Sequence, residues 1–254
     1  MTRPTESIPG AGSARKVLDV LFCFSADRPV WTAFELSRQI AVSSATVYRY
    51  LALLRDVGLV DDDGAGSYRL SMRVKAFTAA AEAARSTLET LALPVMTRIR
   101  DSIDETVLLA RRMGDSAIAV ERVESLQPVR LQFDVGRRMM LHRGSIPRVL
   151  LAALPDHERE AYLDETFPHG RPHDLTPAAL DAVVQAGYTQ SFGEIDDGIW
   201  GAAAAIKVNG VTAAALGVAA PVYRLDAQQR ERIIEVVRQG AEEIGTIASH
   251  GGRA

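Results

Sequence analysis

The chain has 254 residues, 47% hydrophobic and 24% charged, a balance that belongs to a globular protein and excludes wholesale disorder. A formal net charge of −3 gives it no overall attraction for nucleic acid or lipid phosphate. A single cysteine, Cys23, excludes an internal disulfide and a cysteine-based zinc cluster, and no apolar run approaches the roughly 20 residues that span a bilayer.

The N-terminus shows no cleavable signal pattern, so a cytoplasmic, reducing setting is expected. The length suits two domains. Charge divides mildly between them: residues 1–75 hold 10 Lys/Arg against 8 Asp/Glu, and the remainder leans acidic. Residues 1–12 (MTRPTESIPGAG) have the composition of a flexible tail. Ser13 is then a candidate cap for a helix carrying Val17, Leu18, Leu21 and Phe24, and Cys23 falls within that apolar stretch as a structural thiol. A loop at Arg28-Pro29 ends it. Thr32 caps a second helix, with Phe34, Leu36 and Ile40 expected inside, and Ala41-Val42 forms a turn.

The third helix is the most informative. In VSSATVYRYLALLRDVGLV, Val47, Tyr50, Leu51, Leu54 and Val57 recur at spacings of three and four, which builds one buried stripe. Ser44, Ala45, Tyr48, Arg49, Ala52 and Arg55 occupy the other face. Leu59-Val60, the turn DDDGAGS and Tyr68-Arg69-Leu70 then predict a hairpin. Helix, helix, turn, helix and hairpin is the winged helix-turn-helix order, which serves DNA binding and also serves as a protein-interaction module.

The alanine-rich residues 72–86 predict a connecting helix. Beyond it come a helix over 88–103 and strands over 106–110, 117–123 and 129–133. Helices follow over 146–153, 156–165 and 177–186, then strands over 202–208 and 213–219 and a last helix over 226–250. Val208-Asn209-Gly210-Val211 predicts a tight hairpin turn. The pattern is that of an α+β domain on an antiparallel sheet. Catalytic signatures are thin. Ser145 in RGSIP is not a nucleophile elbow, and Asp196-Asp197 before Gly198 reads as a solvated turn. His169 and His173 lie four apart, but Pro168, Gly170 and Pro172 make that segment a loop rather than a metal-binding helix. No metal, no cofactor and no enzymatic activity are expected.

From Ser13 to about Ser249 the chain resembles the IclR family of bacterial transcriptional regulators. In the head the likeness rests on SARKVLDVL, FELSRQIAVSSATVYRYLALLRDVGLV and YRLSMRV. In the tail it rests on ALPVMTRIRDSIDETV, AVERVES, FDVGRRMMLHRG, LLAALPD, GYTQSFGEIDDGIWGAAAAI and ALGVAAPVYRL. The resemblance implies a winged helix-turn-helix DNA-binding domain over 13–71, a linker helix over 72–86 and a GAF-like α/β effector-binding domain over 87–250. It also implies a homodimer, and often a tetramer, that binds a palindromic double-stranded DNA operator and represses or activates a metabolic operon in answer to a small effector.

Site residues follow from the same resemblance. Ser43, Ser44, Ala45, Thr46, Tyr48 and Arg49 are the DNA-facing set, with Ser44 and Tyr48 standing where relatives commonly carry Lys and His. The effector set is Arg143, Gly144, Ser145, Ile146, Ser191, Phe192, Ile199, Gly201, Gly217 and Ala219. Gly201, Gly217 and Ala219 stand where relatives often carry a thiol or hydroxyls, so a wide, apolar pocket is expected. Arg143 either forks onto an effector carboxylate, with an aromatic acid as the expected ligand, or pairs with Glu194 or Asp197 and closes the pocket. The expected function is a ligand-controlled repressor. The alternatives are a protein-interaction module or ligand-independent regulator with a closed pocket, and an enzyme using that pocket.

Overall fold

The computed structural model describes residues 12–25, 28–83, 87–128, 130–131 and 133–251, and residues 1–11 of the expected tail lie outside that set. The chain forms two compact units, Met1–Arg85 and Ser86–Ala254.

The first unit runs α1 (Gly12–Phe22), β1 (Val30–Thr32), α2 (Ala33–Gln39), α3 (Ser44–Asp56), β2 (Val60–Asp62), β3 (Ser67–Leu70) and α4 (Val74–Ala83). Ser13 falls inside the first turn of α1 rather than at its cap. Thr32 does cap α2: its Oγ1 accepts the Glu35 N–H at 3.3 Å, and Glu35 Oε2 accepts the Thr32 N–H at 2.9 Å. That backbone donor, more than any other contact, holds the Glu35 carboxyl below its ordinary range. Val20, Leu36, Val47, Leu51 and Leu54 form the core of this unit with Trp31 and Tyr68. Phe34, expected inside, is 64% exposed. Ala33, Leu36 and Ser37 already make the buried face of this short helix, and Phe34 lies about 100° around the axis from Ala33. Val57, at the end of the α3 stripe, is also exposed.

The strand β1 was not legible. It is three residues long and joins the hairpin as a third strand in the order β1-β3-β2, with Trp31 opposite Tyr68. Trp31 anchors it through Nε1, which donates to the Cys23 carbonyl at 3.0 Å and the Arg28 carbonyl at 3.1 Å. Cys23 is half-buried, and burial pushes its thiol pKa up, as suits an inert packing residue.

The second unit runs α5 (Thr87–Ile103), β4 (Thr106–Met113), β5 (Ser116–Val123), β6 (Arg138–Met140), α6 (Ser145–Ala152), α7 (Asp156–Thr166), α8 (Pro177–Ala186), β7 (Tyr188–Phe192), β8 (Ile199–Val208), β9 (Val211–Pro221) and α9 (Ala227–Gly251). Its antiparallel sheet has the order β6-β5-β4-β9-β8-β7. Alternation along β9 divides two cores: Leu216 and Val218 pack with α5 and α9, and Ala215 packs with α6 and α8. Asn209 and Gly210, both at positive φ, make the β8–β9 turn with Val208 opposite Val211.

Of the strand expected over 129–133, residues 129 and 132 lie outside the described set, and Arg130, Leu131 and Phe133 are not in a strand. The sheet edges are instead β6, only three residues long, and β7, whose burial does not alternate cleanly. Among the described residues no helix is long and apolar enough to cross a membrane, and no cluster of three or more His, Cys, Asp or Glu is placed to hold a metal.

Candidate functional site

In the first unit α2, the turn through Ile40–Val42 and α3 form the helix-turn-helix. Burial of Val47, Tyr50, Leu51 and Leu54 turns Ala45, Tyr48 and Arg49 outward. Tyr48 is 55% exposed, and no ion pair or hydrogen bond among the described residues engages the Arg49 side chain. The hydroxyls behave differently. Ser43 is the N-cap, with Oγ accepting the Thr46 N–H at 3.3 Å and lying 2.9 Å from Thr46 Oγ1. Ser44 is half-buried and donates through Oγ to Ser37 Oγ of α2 at 3.3 Å. Three of the six expected contact residues therefore use their hydroxyls to start and seat the helix.

The acidic wing is partly neutralised from within. Arg55 of α3 pairs with Asp62 Oδ2 at 2.6 Å. Asp63 Oδ1 accepts the N–H groups of Ala65 at 2.9 Å and Ser67 at 3.0 Å, and these hold its carboxyl below the ordinary range.

In the second unit a cavity of about 80 Å³ lies between the N-terminus of α6, the inner strands and the connection from β7 to β8. Leu108, Gly201 and Ala219 form its floor, Gly144, Ser145 and Ile146 one wall, and Ile195 and Asp196 its cover. Ser191 also lines it, and its Oγ accepts the Ser145 N–H at 3.1 Å. Glu194 reaches under the cover. Its Oε2 accepts the Gly144 N–H at 2.9 Å and Arg148 Nη2 at 2.7 Å, and Arg148 Nη2 also donates to Asp174 Oδ2 at 2.8 Å. Arg148 is 6% exposed, so this charge is buried with two acidic partners.

The expected wide pocket is instead narrow, for a steric reason. A Cβ on Gly217 would lie 2.3 Å from Ile146 Cγ1, so the missing side chain makes room for α6 and not for a ligand. A Cβ on Gly201 would lie 2.9 Å from Ser145 Oγ and 3.3 Å from Ser191 Oγ, so those hydroxyls fill that space.

Both domains match known models. The IclR helix-turn-helix model covers residues 13–64, and the model described as bacterial transcriptional regulator IclR C-terminal covers 80–246. The chain belongs to the IclR family. It is thus a DNA-binding transcriptional regulator with a C-terminal effector domain. Among relatives, the HTH-type transcriptional regulator KipR of Bacillus subtilis is 34% identical over 176 residues, 67% of this chain and 70% of its own. KdgR of Dickeya chrysanthemi is 27% identical over 241 residues, 91% of this chain and 78% of its own. An IclR homologue from Microbacterium hydrocarbonoxydans, solved with 4-hydroxybenzoate, superposes with a TM-score of 0.72 at 26% identity, covering 94% of this chain and all of that one.

On this IclR frame, Gly144, Ser145, Ile146, Ser191, Ile199, Gly201 and Ala219 come together around the cavity. Arg143, Phe192 and Gly217 are not among the described residues that line it. Phe192 is half-exposed beneath the Arg230 guanidinium, 5.5 Å from the ring centre. Arg143 is exposed and grips the Glu194 backbone carbonyl, with Nε at 3.0 Å and Nη2 on the same oxygen. Its partner is thus neither a ligand-facing space nor the carboxylate of Glu194 or Asp197. The cation that does line the cavity is Arg137, just before β6, whose side chain has no hydrogen bond or ion pair among the described residues. Nothing in the sequence distinguishes it from Arg138, which pairs with Asp115 at 3.2 Å.

Proposed function

We propose that this IclR-family protein binds a palindromic operator as a homodimer and represses a catabolic operon until a small aromatic carboxylate enters the cavity. The observation that carries the ligand class is Arg137. An unpaired guanidinium at the rim of a cavity floored by Leu108 and Ala219 suits a ligand with one anionic end and an apolar body. The relative solved with 4-hydroxybenzoate supports the same class. On the head, exposed Tyr48 and Arg49 support reading of DNA, while exposed Leu18 and Phe22 of α1 and Met72 and Phe77 at α4 offer apolar area for pairing two chains. A second reading, a regulator whose pocket stays closed, is favoured by the small volume and by the Glu194 and Arg143 contacts that shut the cover.

One titration tests these readings. Calorimetry with 4-hydroxybenzoate and benzoate, repeated on Arg137→Met, should show affinity falling by about 1.5–3 kcal/mol, the worth of a charge-assisted hydrogen-bonding pair. Operator binding in a gel-shift without ligand should survive the substitution. Equal affinity in parent and Arg137→Met removes the support for a carboxylate at this rim.

A further inference from the structure

The segment 193–198, between β7 and β8, is short and bounded by Gly193 at φ 62° and Gly198 at φ 76°. It covers the cavity with Ile195, whose Cγ1 and Cδ1 would lie 3.2 Å from a Cβ on Gly144. Two separate grips hold it down. From inside, the Glu194 carboxylate bonds the Gly144 N–H and buried Arg148. From outside, the exposed Arg143 guanidinium forks onto the Glu194 carbonyl. The cavity, which opens to solvent on one side, has a volume of about 80 Å³, whereas an apolar cavity that binds benzene measures about 150 Å³. An aromatic acid does not fit beneath the cover as it stands.

We propose that segment 193–198 is a strap that gates the effector cavity, latched by Glu194 and Arg143, and that an effector binds only the population in which the strap has lifted. The inference rests on the reading of this cavity as the effector site. It makes Arg143 a positioning residue acting through the strap, and it sets the sign of its substitution. A ligand that binds a minor open state has its affinity reduced by the fraction open, so weakening the latch tightens binding. A guanidinium that held the ligand itself would do the opposite. Arg148 stays paired with Asp174 when Glu194 is altered, so the buried charge is not stranded.

The experiment has a ligand-free arm and a ligand arm, on the full chain. Hydrogen exchange at the Gly144 amide, which Glu194 Oε2 protects, is measured in the parent, Arg143→Met and Glu194→Gln, with Arg143→Lys as the conservative variant. Exchange should quicken in the first two variants, with Lys restoring part of the protection. Calorimetry with 4-hydroxybenzoate and benzoate should then show binding about fivefold tighter in Arg143→Met, the effect expected when one ordinary solvent-exposed hydrogen-bonding contact is removed from the closed state. Unchanged exchange at Gly144 overturns the strap. Faster exchange with equal or weaker binding overturns its role as a gate. Faster exchange with no binding by any form overturns the aromatic-acid reading, and the gate for that ligand class with it.

Discussion

A tail strand that carries Gly217 where a side chain would strike α6 predicts a specific coupling. An Ala Cβ at 217 would sit 2.3 Å from Ile146 Cγ1, 2.7 Å from Ile146 Cδ1 and 3.0 Å from the Ala202 carbonyl oxygen. The first two distances are far inside van der Waals contact and fall on the ethyl arm of Ile146, a β-branched side chain with few alternative rotamers on a helix. α6 is buried along its whole length, so it has little room to retreat. Gly217→Ala should therefore destabilise this unit by about 1–3 kcal/mol, the range for overpacking a filled core. Ile146→Ala alone should cost about 2–5 kcal/mol through lost burial and the void it leaves. Together they should cost less than their sum by at least about 1 kcal/mol, because each removes the other's defect. Urea denaturation followed by fluorescence of the buried Trp200, in a Trp31→Phe background common to all four proteins, gives the cycle. Gly217→Ala that is harmless in the parent, or equally costly with and without Ile146, refutes the claim that this glycine exists to admit α6.

Two further outcomes follow from single residues. Arg49→Ala should weaken operator binding by about 1–3 kcal/mol at one base position if the side chain reads a base, or lower affinity for every sequence alike if it meets phosphate; gel-shifts against operator and random DNA separate these, and no change in either removes Arg49 from the interface. His142 is held mainly by burial below its ordinary pKa, with Nδ1 2.8 Å from the Tyr162 hydroxyl, so its neutral form contributes stability above about pH 6.5 that is lost as pH falls through the lowered value. The stability–pH slope over that acidic window should shrink by up to about one proton in His142→Phe, and an identical slope in the two proteins would rule the histidine out as its source.

What was legible in the sequence was whatever repeats with the geometry of one element. Val47, Tyr50, Leu51 and Leu54 mark a helix face because a helix brings them together by itself, and all four are buried. Thr32 as a cap, and Asn209 with Gly210 as a turn, likewise carry their own local reasons. Edge strands such as β1 and β6 have no such internal signature, since each is only three residues long and its partner lies well away along the chain. Small hydroxylated residues were ambiguous for another reason. The same Ser43 and Thr46 that would let a backbone approach phosphate also satisfy the cap, and in the folded head they cap.

The candidate site turns on telling three arginines apart, and no local property does that. Arg137, Arg143 and Arg148 share a side chain and lie within a dozen residues. Arg148 follows Gly144 by one helical turn, which aims it at the same face of α6 that Glu194 caps. There it meets Asp174 and Glu194, 26 and 46 residues further along the chain, and becomes a buried structural charge. Arg143, just before that helix, finds a carbonyl of the strap and not a carboxylate. Arg137, on the approach to an edge strand, finds no partner among the described residues and keeps its donors for something else. A sequence records that each cation exists. Whether it is spent depends on what the sheet order brings to it, and here that order leaves the unspent guanidinium at the rim of the cavity.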